Sequence, residues 1–217
     1  VSGLTTLKEC LAEGFHATIF EAEGHIGGQW RYTEPDSVTG KVHSSIYQGV
    51  IFNSCRDTTS FSDFPMDPAR YPVYTGHRQF LQYLHEYVAF FGLQKHIKFN
   101  IEVQNCVQLE GGSWEVTSTE KEITTTEIYD AIFACTGHNS KPFIPEFQGL
   151  KDFKGKFMHS HVYRTPAPFE GKKVAVIGIG SSGMSPKLHK LVPSSLTFWL
   201  QLSTSPQKSP RNPRRCM

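Results

Sequence analysis

A run of strand-forming residues, Val174-Ala175-Val176-Ile177, passes without a break into Gly178-x-Gly180-x-x-Gly183. Nothing else in the sequence constrains the fold as much. A buried parallel strand feeding this glycine spacing makes a tight turn, lets backbone N–H groups approach a pyrophosphate, and aims a helix N-terminus at it. The pattern predicts an α/β, Rossmann-like dinucleotide-binding unit. Its cofactor-binding residues would be Gly178, Gly180 and Gly183, with Ser181 and Ser182 as phosphate donors at the helix start. The residues alone also fit a strand-to-helix turn with no ligand. The motif stands late in a chain of 217 residues. After Gly183 the pattern breaks: Pro186 falls within the first turns of the expected helix, at a cost on the order of 3 kcal/mol. Residues 188–202 are apolar without a clean period. Residues 203–217, rich in Ser, Pro, Arg and Lys, are expected to be disordered.

The first 30 residues read as part of another nucleotide unit. Leu4, Leu7, Leu11 and Ala12 repeat at helical spacing, and Gly14 suits the end of that helix. Ala17-Thr18-Ile19-Phe20 reads as a short strand ending at Glu21. An acidic residue at the end of the second strand, about 20 residues past the glycines, is where a Rossmann fold grips a ribose hydroxyl. On this reading Gly3 is the third glycine of a fingerprint whose first two glycines and first strand are not in the sequence. Gly24-His25-Ile26-Gly27-Gly28-Gln29-Trp30 follows as a glycine-rich turn closed by an aromatic. Taken singly, Glu21 also fits a solvated strand end, Gly27-Gly28 an ordinary turn and Trp30 plain core.

Residues 33–45 are polar and read as a surface loop, and residues 46–72 as irregular. A helix is predicted over His77–Phe91, with Phe80, Leu81, Leu84, Tyr87, Val88 and Phe91 as its apolar stripe and Gly92 closing it. Ile97–Val103, Trp114–Thr119 and Ile128–Cys135 read as strands. The last two flank a polar turn at Glu120-Lys121-Glu122, which suggests a β-meander. Cys135-Thr136-Gly137-His138 closes the apolar run Ala131–Ala134. Pro166 and Pro168 mark a linker into the late glycine motif.

Composition narrows the function classes. Lys and Arg number 22 against 20 Asp and Glu, a balance that gives no argument for nucleic acid. The five cysteines are scattered with no C-x-x-C, which favours reduced thiols in a cytoplasmic setting over a disulfide framework or zinc site. His159-Ser160-His161 offers no third metal ligand. No apolar run approaches the roughly 20 residues needed to cross a bilayer, and no signal peptide is evident. A membrane anchor in a longer parent stays open.

Taken in order, the motifs are similar to those of one family. Phe153-x-Gly155-x-x-x-His159-x-x-x-Tyr163 fits the F-x-G-x-x-x-H-x-x-x-(Y/F/W) fingerprint of the flavin-containing monooxygenases, class B flavoprotein monooxygenases. Gly3, Glu21, Gly27-Gly28-x-Trp30, Asn53-Ser54, Asp63-Phe64-Pro65 and Cys135-Thr136-Gly137 precede it, and the late glycine motif follows. The resemblance covers about residues 1–183. It implies an α/β flavoprotein with two dinucleotide-binding domains, here incomplete: a partial FAD domain with a β-meander over 1–165, the start of an NADP domain over 166–202, and a tail over 203–217. The sequence is expected to be truncated at both ends, with a tail from about Met184 that is out of frame.

The resemblance further implies FAD and NADPH as cofactors. NADPH would pass hydride to FAD, and the reduced flavin would bind O₂ as a C4a-hydroperoxide. One oxygen would then go to a soft amine nitrogen or sulfide of a small molecule. Gly3, Glu21, Gly27, Gly28, Gln29, Trp30, Thr136 and Gly137 would hold FAD. Phe153, Gly155, His159 and Tyr163 would form the linker that couples NADP binding to domain position. Asn53 would be catalytic, beside the flavin. An amide suits that place because it donates and accepts hydrogen bonds without titrating. An Asx-turn is the other reading of Asn53. Three alternatives stay open or are disfavoured. A Baeyer–Villiger monooxygenase shares the plan, but the fingerprint here lacks that type's extension. A flavin disulfide reductase is disfavoured because the sequence has no redox-active cysteine pair. An inactive fragment, retained or not as an interaction module, belongs to a different class altogether.

Overall fold

The computed structural model describes residues 1–137 and 139–178. Gly180, Ser181, Ser182, Gly183, His138, Pro186 and the 203–217 tail, all singled out above, lie outside the described residues. The chain divides into two compact units. One comprises residues 1–33 and 48–137; the other comprises residues 34–47 and 138–217.

The first unit begins with α1 (Ser2–Ala12), which buries Leu4 and Leu7. Gly14 follows with φ +85°, a conformation that glycine adopts without a Cβ penalty. β1 (Ile19–Glu21) pairs in parallel with β2 (Ile97–Phe99). Between them run the four-residue α2 (Arg56–Thr59) and the long α3 (His77–Phe90). The side chain of Gln79 accepts the Gly76 N–H at 2.9 Å, satisfying one donor at the start of α3. Gly92 sits in the left-handed region at φ 64° just past its end. The core collects on α3: Phe80, Tyr83, Leu84, Tyr87 and Val88 pack with Leu4, Leu7, Met66, Tyr71 and Leu93. Tyr83 belongs to this stripe and is fully buried, whereas Leu81, expected there, is half-buried.

The meander is real but shifted. Its strands are β3 (Glu102–Gln108), β4 (Trp114–Glu120) and β5 (Ile123–Tyr129), antiparallel in that order. The expected strand Ile97–Val103 is cut in two. Asn100 takes φ 58°, which turns the chain from the parallel pair into the meander. Lys121 and Glu122 both have positive φ, and Glu120 pairs with Ile123, so β4 and β5 join through a two-residue turn. The third strand is therefore residues 123–129, not 128–135. Both Ile128–Cys135 and Val174–Ile177 were expected as strands, yet residues 131–137 and 174–177 carry no strand. An apolar run becomes a strand only when a neighbour pairs its N–H and C=O groups, and among the described residues no strand pairs with either run.

The second unit has no strand among its described residues. It is organised by short turns at Leu150–Asp152, Ser160–Val162 and Ala167–Phe169. Within the 33–45 stretch, read above as a polar surface loop, Ser44 is buried because a network described below closes over it.

Candidate functional site

The start of α1, the neighbourhood of β1 and the 135–137 segment come together. A Cβ placed on Gly3 would lie 3.7 Å from both Cys135 and Ile19. Thr6 Oγ1 is 3.8 Å from Cys135 Sγ. Glu21 closes β1, its carboxylate accepting the Glu23 N–H at 3.0 Å while its backbone carbonyl accepts from Ile101. Thr136 and Gly137 are exposed, and Gly137 has φ +74° with open space where a Cβ would point. The first turn of α1 carries no acidic residue. A helix N-terminus with no acidic residue in its own first turn, near the exposed Gly137, suits an anionic group.

The glycine-rich turn lies on α3. Gly27 has φ +121°, and a Cβ there would meet Leu81 Cδ1 at 2.6 Å, so both conformation and packing require glycine. Gly28, at φ +50°, faces open space. His25 Nδ1 is buried without a hydrogen-bond partner. Gln29 and Trp30 are half-buried. Trp30 stacks on Phe52 with ring centroids 4.2 Å apart. Gly28 and Gly137 facing open space, the unpaired buried His25 Nδ1 and the acidic strand end at Glu21 suit a dinucleotide cofactor with ribose, phosphate and flat-ring portions.

Asn53 is exposed in a bend whose backbone is clamped on both sides. The Phe52 N–H donates to the Thr75 carbonyl at 3.0 Å, and the Arg56 N–H donates to the Val73 carbonyl at 2.6 Å. Arg56 Nη1 also donates to the Tyr71 carbonyl at 2.7 Å. Ser54 Oγ lies 2.8 Å from Thr59 Oγ1, which donates to the Cys55 carbonyl. Cys55 caps α2, and its thiol is pulled below the usual range chiefly by the Thr58 hydroxyl. The amide of Asn53 makes none of the side-chain-to-backbone bonds of an Asx-turn.

The Asp63-Phe64-Pro65 motif is anchored as firmly. Lys8 Nζ, on α1, lies 2.6 Å from Asp63 Oδ2, and this contact holds the Asp63 carboxyl below its usual range. Tyr83 receives the Phe61 N–H and donates to the Phe64 carbonyl.

In the second unit the fingerprint spacing has physical causes. The ring of Phe153 lies over Gly155, where a Cβ would come within 2.4 Å of it. His159 is buried, its Nδ1 accepting the His161 N–H at 3.0 Å and its Nε2 without a partner. Burial first, and His161 second, keep His159 below the ordinary histidine range. Tyr163 packs edge-on against Tyr47 at 5.5 Å. Gly178 is buried with φ +129°.

Sequence reasoning missed the network around this motif. Arg164 is buried and donates to the carbonyls of Ser44, His161 and Tyr163 at 2.7 to 2.9 Å. His161 Nε2 is 2.8 Å from the Val42 carbonyl, and its Nδ1 is 2.6 Å from Ser45 Oγ. The available signal was the charged residue set directly behind the fingerprint aromatic. A cavity of about 730 Å³, lined by Lys98, Ser118, Lys121, Thr125 and Glu127 among others, lies over the meander and includes none of the assigned residues. Among the described residues no group of His, Cys, Asp or Glu is placed to hold a metal ion, and no helix is long and apolar enough to cross a membrane.

The parallel β1–β2 pair with α1, the acidic strand end and the glycine turn define a partial Rossmann-like α/β flavoprotein fold. The chain belongs to the flavin-binding monooxygenase-like family, whose model matches residues 1–189. It is 40% identical over 189 residues to flavin-containing monooxygenase 1 of Homo sapiens, a match covering 84% of this chain and 35% of that protein. It is 38% identical to dimethylaniline monooxygenase [N-oxide-forming] 2 of Macaca mulatta, again covering 84% of this chain and 35% of that protein. The chain thus spans about a third of the length of these relatives. Among solved structures, S-allyl-L-cysteine S-oxygenase of Allium sativum superposes with TM-score 0.76 at 35% identity, covering 83% of this chain and 44% of that one. Tmm from Pelagibacter sp. superposes with TM-score 0.79 at 27% identity, covering 91% and 48%.

Proposed function

We propose that this chain serves FAD- and NADPH-dependent oxygenation of soft nitrogen or sulfur centres in small molecules, with O₂ as co-substrate. The observation that carries this reading is Asn53: an exposed amide on a backbone pinned by Thr75, Val73 and Tyr71, next to Phe52, whose ring stacks on Trp30. The named N-oxide-forming and S-oxygenase relatives support the substrate class.

In this reading Gly3 and the start of α1 meet the pyrophosphate, Glu21 accepts from a ribose hydroxyl, and Gly27, Gly28, Gln29 and Trp30 hold the ring end, with Thr136 and Gly137 near the phosphates. Bound flavin would supply the redox and oxygen chemistry. Asn53 would hold the incoming oxygen acceptor by hydrogen bonds that do not change with pH. The fingerprint residues Phe153, Gly155, His159 and Tyr163 would set the approach of NADPH, together with Gly178, Gly180, Ser181, Ser182 and Gly183. The domain division at about residue 165, with a partial FAD domain before it and the start of an NADP domain after it, is part of the same proposal.

The purified chain should take up FAD near 1:1 with a flavin visible spectrum, oxidise NADPH, and convert a tertiary amine to its N-oxide or a thioether to its S-oxide. A colourless protein without NADPH oxidation would overturn the reading. One alternative is a catalytically inactive fragment of such an enzyme, binding cofactor without turnover. A yellow protein that forms no product would select it. Ester formation from a cyclic ketone would select the Baeyer–Villiger chemistry instead.

A further inference from the structure

The glycine turn and the Asn53 bend meet through one pair of rings. Phe52 and Trp30 lie face to face, 4.2 Å between centroids and 14° between planes. Phe80 of α3 stands edge-on to both, at 4.8 Å from Phe52 and 5.0 Å from Trp30. Trp30 closes the turn that starts at Gly27, and Gly27 packs on Leu81, the neighbour of Phe80. Phe52 immediately precedes Asn53, and its N–H is tied to Thr75. Exposure alternates along this stretch: Ile51 is exposed, Phe52 half-buried and Asn53 exposed. With Phe52 packed against Trp30 and Phe80 and Asn53 exposed, the stack fixes the backbone at the residue next to Asn53.

We propose that Phe52 is a positioning residue, whose stack on Trp30 sets the direction and spacing at which Asn53 faces a ligand held on the Gly27–Trp30 turn. The inference rests on the reading that this turn holds flavin. A purely structural core residue would lower stability when replaced and do nothing else. A positioning residue makes the two segments loosen together, and another aromatic ring restores them.

The test uses the full chain in two arms. In the first, without cofactor, amide hydrogen exchange is followed in segments 27–31 and 51–54. Phe52→Leu should accelerate exchange in both by roughly ten-fold, a loss of local protection, and Trp30→Leu should do the same reciprocally. Phe52→Tyr should stay near the unchanged chain. Val88→Ala, at the far end of α3, should lower thermal stability while leaving the two segments' protection relative to the rest unchanged. In the second arm FAD is titrated in. Phe52→Leu should weaken binding roughly ten-fold and shift the visible flavin band, and Val88→Ala should do neither. If Phe52→Leu loosens only its own segment, or Val88→Ala reproduces its effects, the proposal is overturned. If the unchanged chain binds no FAD, the flavin reading fails by itself, and the exchange arm alone decides whether Phe52 couples the segments.

Discussion

The hydroxyl of Tyr83 donates to the carbonyl of Phe64 at 2.5 Å from the middle of helix α3. The same oxygen accepts the Phe61 N–H at 2.8 Å, so one fully buried side chain closes the short bridge between Phe61 and Phe64. The Asp63-Phe64-Pro65 motif is therefore held by helix α3. Tyr83→Phe keeps the ring and removes both bonds. Leaving a part-buried N–H and C=O unpaired costs about 1 kcal/mol or more. Urea unfolding should show a lower midpoint with an unchanged slope.

Gly27 is disfavoured for a side chain chiefly by its backbone. With φ at +121° and Leu81 Cδ1 2.6 Å from the Cβ position, Gly27→Ala adds backbone strain to a steric clash. The expected loss is roughly 1–3 kcal/mol. Leu81→Ala should relieve the clash but not the strain, so the double variant should unfold at a midpoint above the one expected from adding the two single losses.

The Lys8–Asp63 ion pair makes stability depend on pH at the acid end. The Asp63 carboxyl is depressed in the folded chain, chiefly by its bond to Lys8. A depressed carboxyl contributes stability that is present above the unfolded value, about 3.9, and is lost as pH falls through the lower folded value. Lys8→Met should flatten the unfolding profile below about pH 4, and added salt should mimic it in part. Denaturation series from pH 7 down to pH 2.5 would check this.

His77 acts in a higher window. Burial holds it below the ordinary histidine range, opposed by its bond to the Gln48 carbonyl. Its Nε2 has no partner. The unfolded chain therefore takes up the proton first, and stability falls as pH drops below about 6.5. His77→Gln should remove part of that slope, read from unfolding midpoints between pH 7.5 and 5.

Arg164 should be the least replaceable charge of the second unit. It is buried and joins Ser44 to His161 and Tyr163 through their carbonyls. Arg164→Lys keeps the charge but not the fork geometry. Both Arg164→Lys and Arg164→Ala should accelerate proteolysis within 34–47 and 150–170, with the alanine variant costing about 3 kcal/mol or more.

Several of these contacts were readable in advance. The helical stripe of α3 stands in the sequence as a 3.6-residue period, and its end is marked by Gly92. The glycine turn and the acid closing β1 were legible from residue type and spacing, whereas Asn53 was legible only through the family resemblance, since an amide in a bend alone also reads as an Asx-turn. At Gly27 and Gly155 glycine relieves crowding, since Leu81 and the Phe153 ring lie at the Cβ positions. Arg164, Ser44 and Tyr83 were not legible, because their importance lies in partners far along the chain.

By itself the sequence determined the α/β class, the family, the long helix and the roll of candidate residues, all properties of local period and motif order. Only the tertiary structure decided which apolar runs became strands. Ile123–Tyr129 pairs along its length with β4, whereas Ala131–Ala134 and Val174–Ile177, more apolar, carry no strand. A strand is a property of two segments, because its backbone groups are satisfied only by a neighbour. Asn53 is likewise exposed beside Phe52, whose ring stacks on Trp30, 22 residues earlier, a contact that no local pattern displays.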